Sequence, residues 1–517
     1  MLTASARSMG DRPHILIVMV DQLSAPFLRA YGHGITRTPA IDRLAGDGVV
    51  FENAYTPSPL CAPARAAFMT GQLPTRTRVY DNSAELASSI PTFAHYLRLE
   101  GYRTCLSGKM HFVGADQLHG FEERLTTDVY PGDFGWTPDW SRPGKRVGWW
   151  YHDAASVKES GIADMTNALE YDDEVAFHAI RRLYDHARYG EGEPLALCVS
   201  FTHPHDPYVA RQRYWDLYAD DEIDMPSAPA LPDDDPHLRR LWEDCAFGEA
   251  GITDGDVRAA RHGYYASLSY VDERIGEILT ALGACGLAEE TVVIFTSDHG
   301  DFLGEHGLFF KMSFRERAAR VPLVVHAPGR FAARRVSEPV SLADLAPTIA
   351  DLARPGLSRE FAQPVDGRSL VPLLDGGPES HDTVLVGEYL AESALAPMVM
   401  VRRGSWKLIS TPSDPDQLFD LEADPLERVN LADAPEHADV LRELRDEVAQ
   451  RWDLEAVERD VRASQQARLA VFRALQLGVR HPWDYQPTPS ASEQYTRGTM
   501  DVAARDRQSR YPPLPGP

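Results

Sequence analysis

The sequence predicts an α/β protein: a mainly parallel sheet sandwiched by helices, followed by a smaller C-terminal α+β subdomain. Short apolar, β-branched runs recur at residues 15–20, 195–201, 291–296 and 321–326. Continuous runs of this kind suit strands buried on both faces. Helical patterns lie between them. In 170–189, Val175, Ala179, Leu183 and Ala187 recur every fourth residue, and in 256–283, Leu268, Val271, Ile275, Ile278 and Leu282 make one apolar face. Pro91 opens a third helix and Gly101 closes it. Strand–helix alternation implies a parallel sheet under a cover of helices. After about residue 384 the texture changes to short strands at 384–390, 397–401, 406–410 and 417–420, then a long charged helical stretch over 436–477. The organisation read from this is a large α/β unit over 1–384, a small antiparallel sheet with helix over 385–480, and a Pro-, Ser- and Arg-rich tail over 481–517.

Composition narrows the function classes. The chain has 517 residues and a formal net charge of −25. That balance favours solubility, repels nucleic acid and mildly favours a cationic substrate. The five cysteines (61, 105, 198, 245 and 285) have no paired spacing, which points to a reducing compartment. The apolar run at 14–20 is too short for a signal-peptide core and far too short to span a bilayer, so a cytoplasmic protein away from membranes is expected.

Open α/β sheets place their sites beyond the carboxyl ends of the strands. The first strand ends in Val20-Asp21-Gln22, and a later one in Ser297-Asp298-His299-Gly300-Asp301. Two apolar strands delivering acidic groups to one edge suggest a shared metal site. Aspartate oxygens suit Ca²⁺ or Mg²⁺, and His299 extends the choice to Mn²⁺. An Asp after a strand often only caps the next turn. A Ser-Asp-His-Gly-Asp cluster is too dense in polar groups for that explanation.

The run Cys61-Ala62-Pro63-Ala64-Arg65 has the form Cys-x-Pro-x-Arg, with Met69-Thr70-Gly71 close behind. Together with Asp21, Ser107-Gly108-Lys109-Met110-His111, the Ser-Asp-His-Gly element and Lys311, it resembles the type I sulfatases, a branch of the alkaline phosphatase superfamily, over nearly the full length. The resemblance implies an alkaline phosphatase-like fold. It implies that a maturation enzyme oxidises Cys61 to formylglycine, whose hydrated aldehyde is the nucleophile. It implies a divalent metal, Ca²⁺ before Mg²⁺ or Mn²⁺, held by Asp21, residue 61, Asp298 and His299. Many members carry a second Asp where this chain has Gln22, so the metal shell is one carboxylate poorer. Arg65 would steady the diol and the metal site, and Lys109 and Lys311 would neutralise the sulfuryl oxygens. His111 resembles the base that collapses the sulfated diol. His203 resembles the acid at the leaving oxygen, where an alkoxide needs general-acid help of ~10²–10⁴-fold.

Longer stretches are similar to one branch of that family, the choline sulfatases: Arg78-Val79-Tyr80-Asp81-Asn82, the run 119–136, Trp149-Trp150-Tyr151-His152, 202–208 and Arg510-Tyr511-Pro512. A choline headgroup offers no N–H donor, so its recognition needs aromatic faces and carboxylates. The resemblance points to Asn82, Trp136, His152 and Glu388 as substrate contacts, with Asp501 reaching in from the tail. It implies choline sulfate as the substrate and a homo-oligomer, a tetramer, in which the tail packs on a neighbour. Two alternatives stand beside it. One is a phosphonate monoester or phosphodiester hydrolase on the same scaffold. The other is an inactive sulfatase-like binding protein whose Cys61 is never oxidised.

Overall fold

The computed structural model describes residues 12–142, 152–228, 230–232, 234–380, 382–480, Trp483, Ala504 and 508–511. The apolar runs form the middle of a large sheet. From one edge to the other its strands are Arg334–Val336, Val49–Tyr55, Arg320–His326, Thr291–Ser297, His14–Val20, Leu195–Ser200, Arg103–Gly108 and Glu123–Arg124. His14–Val20 lies at the centre, parallel to both neighbours, with Val18 opposite Val199 on one side and Phe295 on the other. Arg320–His326 is the one long antiparallel member among the described strands, pairing against both Thr291–Ser297 and Val49–Tyr55. The carboxyl ends of His14–Val20, Val49–Tyr55, Arg103–Gly108, Leu195–Ser200 and Thr291–Ser297 therefore share one edge, and every one of these ends leads into a candidate site residue.

Two apolar clusters, one on each face, hold the sheet between its helices. Alternate residues of the central strand divide between them: Leu16, Val18 and Val20 face one cluster, Ile15, Ile17 and Met19 the other. The first cluster is closed by helices Asn167–Tyr189 and Asp254–Ala284, which pack on each other. Both begin slightly before their apolar periodicity. Thr166 caps the first by accepting from the Leu169 N–H at 3.2 Å, and Thr253 with Asp256 forms a capping box on the second. The helix near Pro91 spans Phe93–Leu99, and Thr92 is its cap.

The C-terminal part is a four-stranded antiparallel meander, Val384–Tyr389, Met398–Arg403, Trp406–Thr411 and Asp414–Asp420, with helix Ala438–Arg451 on one face. The charged stretch expected as one long helix is two. Trp452 is extended, Asp453 accepts from the Ala456 N–H at 2.9 Å, and a new helix runs from Leu454 to Leu475. The break lets the Trp452 indole N–H reach Glu388 at 2.6 Å. Fully buried Lys407 docks the meander on the catalytic unit, donating to the Phe314 carbonyl at 2.8 Å and to Glu316 at 2.7 Å. That contact anchors the segment just beyond Lys311.

Candidate active site

Cys61 is the first residue of helix Cys61–Thr70, whose every residue is buried. Asn82 accepts from the Ala62 N–H at 2.9 Å and so satisfies one of the free donors at this helix start. The Cys61 sulfur lies 3.1 Å from His299 Nε2. Donor atoms of Asp21, Cys61, Asp298 and His299 all lie within 4.8 Å of one another, and all four residues are buried. Arg65, one turn along the helix from Cys61, ties the two aspartates together. Its Nε donates to Asp298 Oδ2 at 2.8 Å and its Nη2 to Asp21 Oδ2 at 3.2 Å, while Nη1 donates to the Lys109 carbonyl and to Ser200 Oγ.

Charges of this number are not buried for stability, because desolvation offsets most of the attraction between them. Their arrangement fits a cation. Asp21 Oδ1 is buried without a hydrogen-bond partner among the described residues and lies 3.8 Å from His299 Nε2. His299 Nδ1 faces the Gly300 carbonyl at 3.1 Å, which places the ring proton there and leaves the Nε2 lone pair facing the cluster. Two carboxylate oxygens, an imidazole nitrogen and residue 61 make an oxygen-led donor set for a divalent metal. Gln22 does not join it. Its Oε1 accepts from Lys311 Nζ at 2.6 Å and its Nε2 donates to Asp301 at 2.6 Å and Asp206 at 3.2 Å. Asp301 also accepts from the Tyr208 hydroxyl and the Leu303 and Phe310 N–H groups, and burial pushes its carboxyl up to about 6.

Lys109 follows a strand whose last residue can only be glycine: a Cβ on Gly108 would sit 1.9 Å from the Ser200 carbonyl oxygen, and its φ is +112°. The Lys109 ammonium meets Asp21 and stands 4.2 Å from the centre of the Tyr130 ring. Burial and the Cys61 thiolate push the Asp21 carboxyl up, but Lys109, His205 and Arg65 outweigh them and hold it at about 2. Burial likewise raises the Cys61 thiol, yet Lys109, Lys311, His299 and His111 bring it well below its ordinary value. His111 is held at φ +59° with its N–H on Asp128 at 2.8 Å, and its ring packs against Tyr130 and Trp136.

The two histidines of Thr202-His203-Pro204-His205 part company. The His203 ring is held by two partners: Nδ1 meets Asp172 at 2.7 Å and the ring lies edge-on to Tyr270. His205 is the one at the site, with Nε2 2.8 Å from Lys311 Nζ and Nδ1 2.9 Å from the Asp206 carbonyl. Burial and Lys311 depress its protonation, but Asp206, Asp21 and Cys61 outweigh them and raise its pKa above the ordinary value. His152 is buried 6.1 Å from the His205 ring and 5.3 Å from Phe310, and burial with Lys311 and His205 nearby drives its pKa well down. Half-buried Trp136 lies 6.0 Å from the His111 ring.

Glu388 is placed differently from the expectation. Its Oε1 accepts from Thr75 Oγ1 and the Trp452 indole, and its Oε2 from the Thr75 N–H, so the carboxylate is consumed in joining the meander to the catalytic unit. A second buried carboxylate, Glu392, lies four residues on. It is buried, its Oε2 has no hydrogen-bond donor among the described residues, and Lys311 and Cys61 both act on its ionisation. Burial above all, with Asp81 next, pushes it up to about 8. Asp501 lies outside the described residues, as do Trp149, Trp150 and Tyr151. Neither Glu392 nor the choice between His203 and His205 has a local signature. The partner that occupies His203 is 31 positions away, and Glu388 and Glu392 look alike until Thr75 and Trp452 are placed.

Comparison with known proteins agrees with this geometry. The sulfatase family model matches residues 13–355, the N-sulphoglucosamine sulphohydrolase C-terminal model 304–453, and the choline sulfatase C-terminal model 459–511. The chain is 51% identical to a choline-sulfatase of Rhizobium meliloti over 97% of its own length and 99% of the relative's. It is 30% identical to arylsulfatase K of Danio rerio over 82% of this chain and 80% of that one. Among solved structures, the phosphonate monoester hydrolase of Agrobacterium radiobacter superposes with a TM-score of 0.67 at 24% identity, covering 88% of this chain and 96% of that one. A strand-end cluster of two aspartates, a histidine and the cysteine of Cys-x-Pro-x-Arg, matched along the catalytic unit by the family's own model, places this chain in the sulfatase family.

Proposed function

We propose that this protein hydrolyses choline O-sulfate to choline and inorganic sulfate, with residue 61 as nucleophile. The observation that carries the chemistry is the buried Asp21, Cys61, Asp298 and His299 cluster flanked by Lys109 and Lys311. The near full-length likeness to a choline-sulfatase supports the substrate. Asp21, residue 61, Asp298 and His299 would hold a divalent cation, Ca²⁺ first, with Mg²⁺ or Mn²⁺ as alternatives. Bound there, it supplies a Lewis acid and lowers the pKa of a hydroxyl on residue 61. Oxidised to formylglycine by a maturation enzyme, residue 61 supplies that hydroxyl as a hydrated aldehyde.

The chain's own groups do the rest. Arg65 fixes the two aspartates at one separation. Lys109 and Lys311 present preorganised positive charge to the sulfuryl oxygens. His111 takes a proton from residue 61 after sulfuryl transfer, when collapse to the aldehyde releases sulfate. His205, and not His203, delivers a proton to the leaving alkoxide, because its ring sits against Lys311 on the site side. Trp136 and His152 bound the headgroup side, with Asn82 at the start of the Cys61 helix. Glu392 takes the role first assigned to Glu388: a buried carboxylate oxygen without a hydrogen-bond donor suits a cation that has no N–H to give. We also infer a cytoplasmic homotetramer. Five free cysteines support a reducing compartment, and no described helix is long and apolar enough to cross a membrane.

Purified protein should release choline and sulfate from choline sulfate, and faster than it cleaves an aryl phosphodiester. The reverse ranking would favour the phosphodiesterase reading. Mass spectrometry of the peptide containing residue 61 should show loss of H₂S and gain of one oxygen. Unmodified cysteine throughout fully active enzyme would sink the formylglycine mechanism.

A further inference from the structure

We propose that the last helix, Leu454–Leu475, is the element that sets headgroup specificity, with Arg468 as its principal positioning residue. Three loops form the headgroup side of the pocket: the Asp81-Asn82 turn, the segment 134–140 carrying Trp136, and the loop after Tyr389 carrying Glu392. None is part of a strand of the main sheet, and this one helix reaches all three.

Arg468 is buried and forked on Asp81, Nη1 to Oδ1 at 2.6 Å and Nη2 to Oδ2 at 2.7 Å. Its Nη1 also donates to Thr137 Oγ1 at 3.2 Å, one residue beyond Trp136. Asp81 accepts from the Ser83 N–H, and Ser83 Oγ donates to the Asp133 carbonyl while accepting from the Trp136 N–H. The Asn82 turn and the Trp136 segment are thus stitched to each other and to the helix. One turn away from Arg468, Gln465 accepts from the Trp140 N–H at 2.9 Å, and the Trp140 indole donates to the Ala391 carbonyl beside Glu392. Arg462 donates to the Trp140 carbonyl at 2.5 Å. The Phe472 ring closes over Gly135, where an added Cβ would meet it at 3.3 Å.

The geometry divides the labour. Arg468 touches none of the groups that hold residue 61, the metal ligands or the two lysines. A bidentate guanidinium–carboxylate pair fixes both distance and angle, and Asp81 is the neighbour of the residue that caps the Cys61 helix. Loss of the fork frees the wall while the strand-end cluster stays tied by Arg65. The family models divide at the same place: the match to the choline sulfatase C-terminal model begins at 459, inside this helix.

This inference rests on choline sulfate being the substrate, and its test separates the two. Wild type, Arg468→Met, Arg468→Lys and the double variant Asp81→Asn/Arg468→Met are assayed on choline sulfate and on 4-nitrophenyl sulfate, an ester without a cationic headgroup. The double variant removes both charges, so no unpaired buried carboxylate remains to unfold it. Arg468→Met and the double variant should lose about ten- to hundredfold in kcat/KM on choline sulfate, most of it in KM. 4-Nitrophenyl sulfate should change less than about threefold, with Arg468→Lys intermediate. Equal loss on both esters overturns the positioning role and leaves the substrate reading standing. Unchanged choline sulfate kinetics in a folded double variant also overturns it. A wild type that turns over 4-nitrophenyl sulfate and leaves choline sulfate intact overturns the substrate reading and this inference with it.

Discussion

In the proposed assignment the site has two halves built on different principles. The reacting half is assembled from the ends of five parallel strands, and its charged groups satisfy one another: Arg65 holds Asp21 and Asp298, and Lys109 meets Asp21. The headgroup half is assembled from loops whose fixed points lie on a helix distant in sequence, Asp81 and Arg468 being 387 positions apart. The first half therefore inherits its precision from the sheet, while the second depends on one late packing contact. Apart from the leaving-group acid, which an aryl ester can do without, substitutions in the reacting half should damage every ester alike. Those in the headgroup half should separate esters with a cationic headgroup from esters without one.

The largest effect tests the shared half. Cys61→Ala should lose about 10⁴-fold or more in turnover on choline sulfate and on an aryl sulfate, with circular dichroism unchanged, since alanine suits the first turn of the helix. Substantial residual turnover on either ester would break the claim that one nucleophile serves both.

Next comes the histidine pair, which sharpens the boundary between chemistry and scaffold. His205→Gln should reduce choline sulfate turnover by about 10²–10⁴-fold and an aryl sulfate, whose phenolate leaves without help, much less. His203→Gln should instead cost about 1–3 kcal/mol of stability, because Asp172 loses a buried partner, read as a lower melting temperature with the ester ratio kept. The opposite pattern would return the acid role to His203. Lys311→Met should fall between these and the wall variants, at about 10²–10³-fold on both esters.

The same division governs what the chain discloses before it folds. The fold was legible because its strands are continuous apolar runs, and the reacting half because the residues that follow such strands cannot avoid the sheet edge. Cys61 and Arg65 even share one helical turn. What stayed hidden was the choice between near-identical neighbours. His203 and His205 flank one proline, and Glu388 and Glu392 flank one turn. In each pair the two are told apart only by a distant partner, Asp172 in one case and Thr75 with Trp452 in the other. Gln22 stands where many members carry a second Asp, and its amide bridges Lys311 to Asp301, a role set by residues 279 and more positions away. The single helix expected over 436–477 failed for a related reason: Trp452 leaves helical geometry to reach Glu388, and nothing in its local sequence forbids the helix.

The smallest expected effect is the most discriminating. Glu392→Gln should raise KM for choline sulfate by roughly 30-fold, about 2 kcal/mol, and leave an aryl sulfate within about threefold. Glu388→Gln should alter melting and spare that ratio. Glu392 also predicts a pH signature. Burial, then Asp81, push its carboxyl up to about 8, so below that pH the free pocket holds a proton that an incoming cation must displace. Affinity for choline sulfate should therefore rise with pH, by at most about tenfold per unit, and level off above about 8. The aryl ester, which has no cationic headgroup, should show no such slope in KM. In Glu392→Gln the slope should vanish for choline sulfate as well. A slope that survives the substitution would move the titrating group elsewhere and leave the headgroup without its carboxylate.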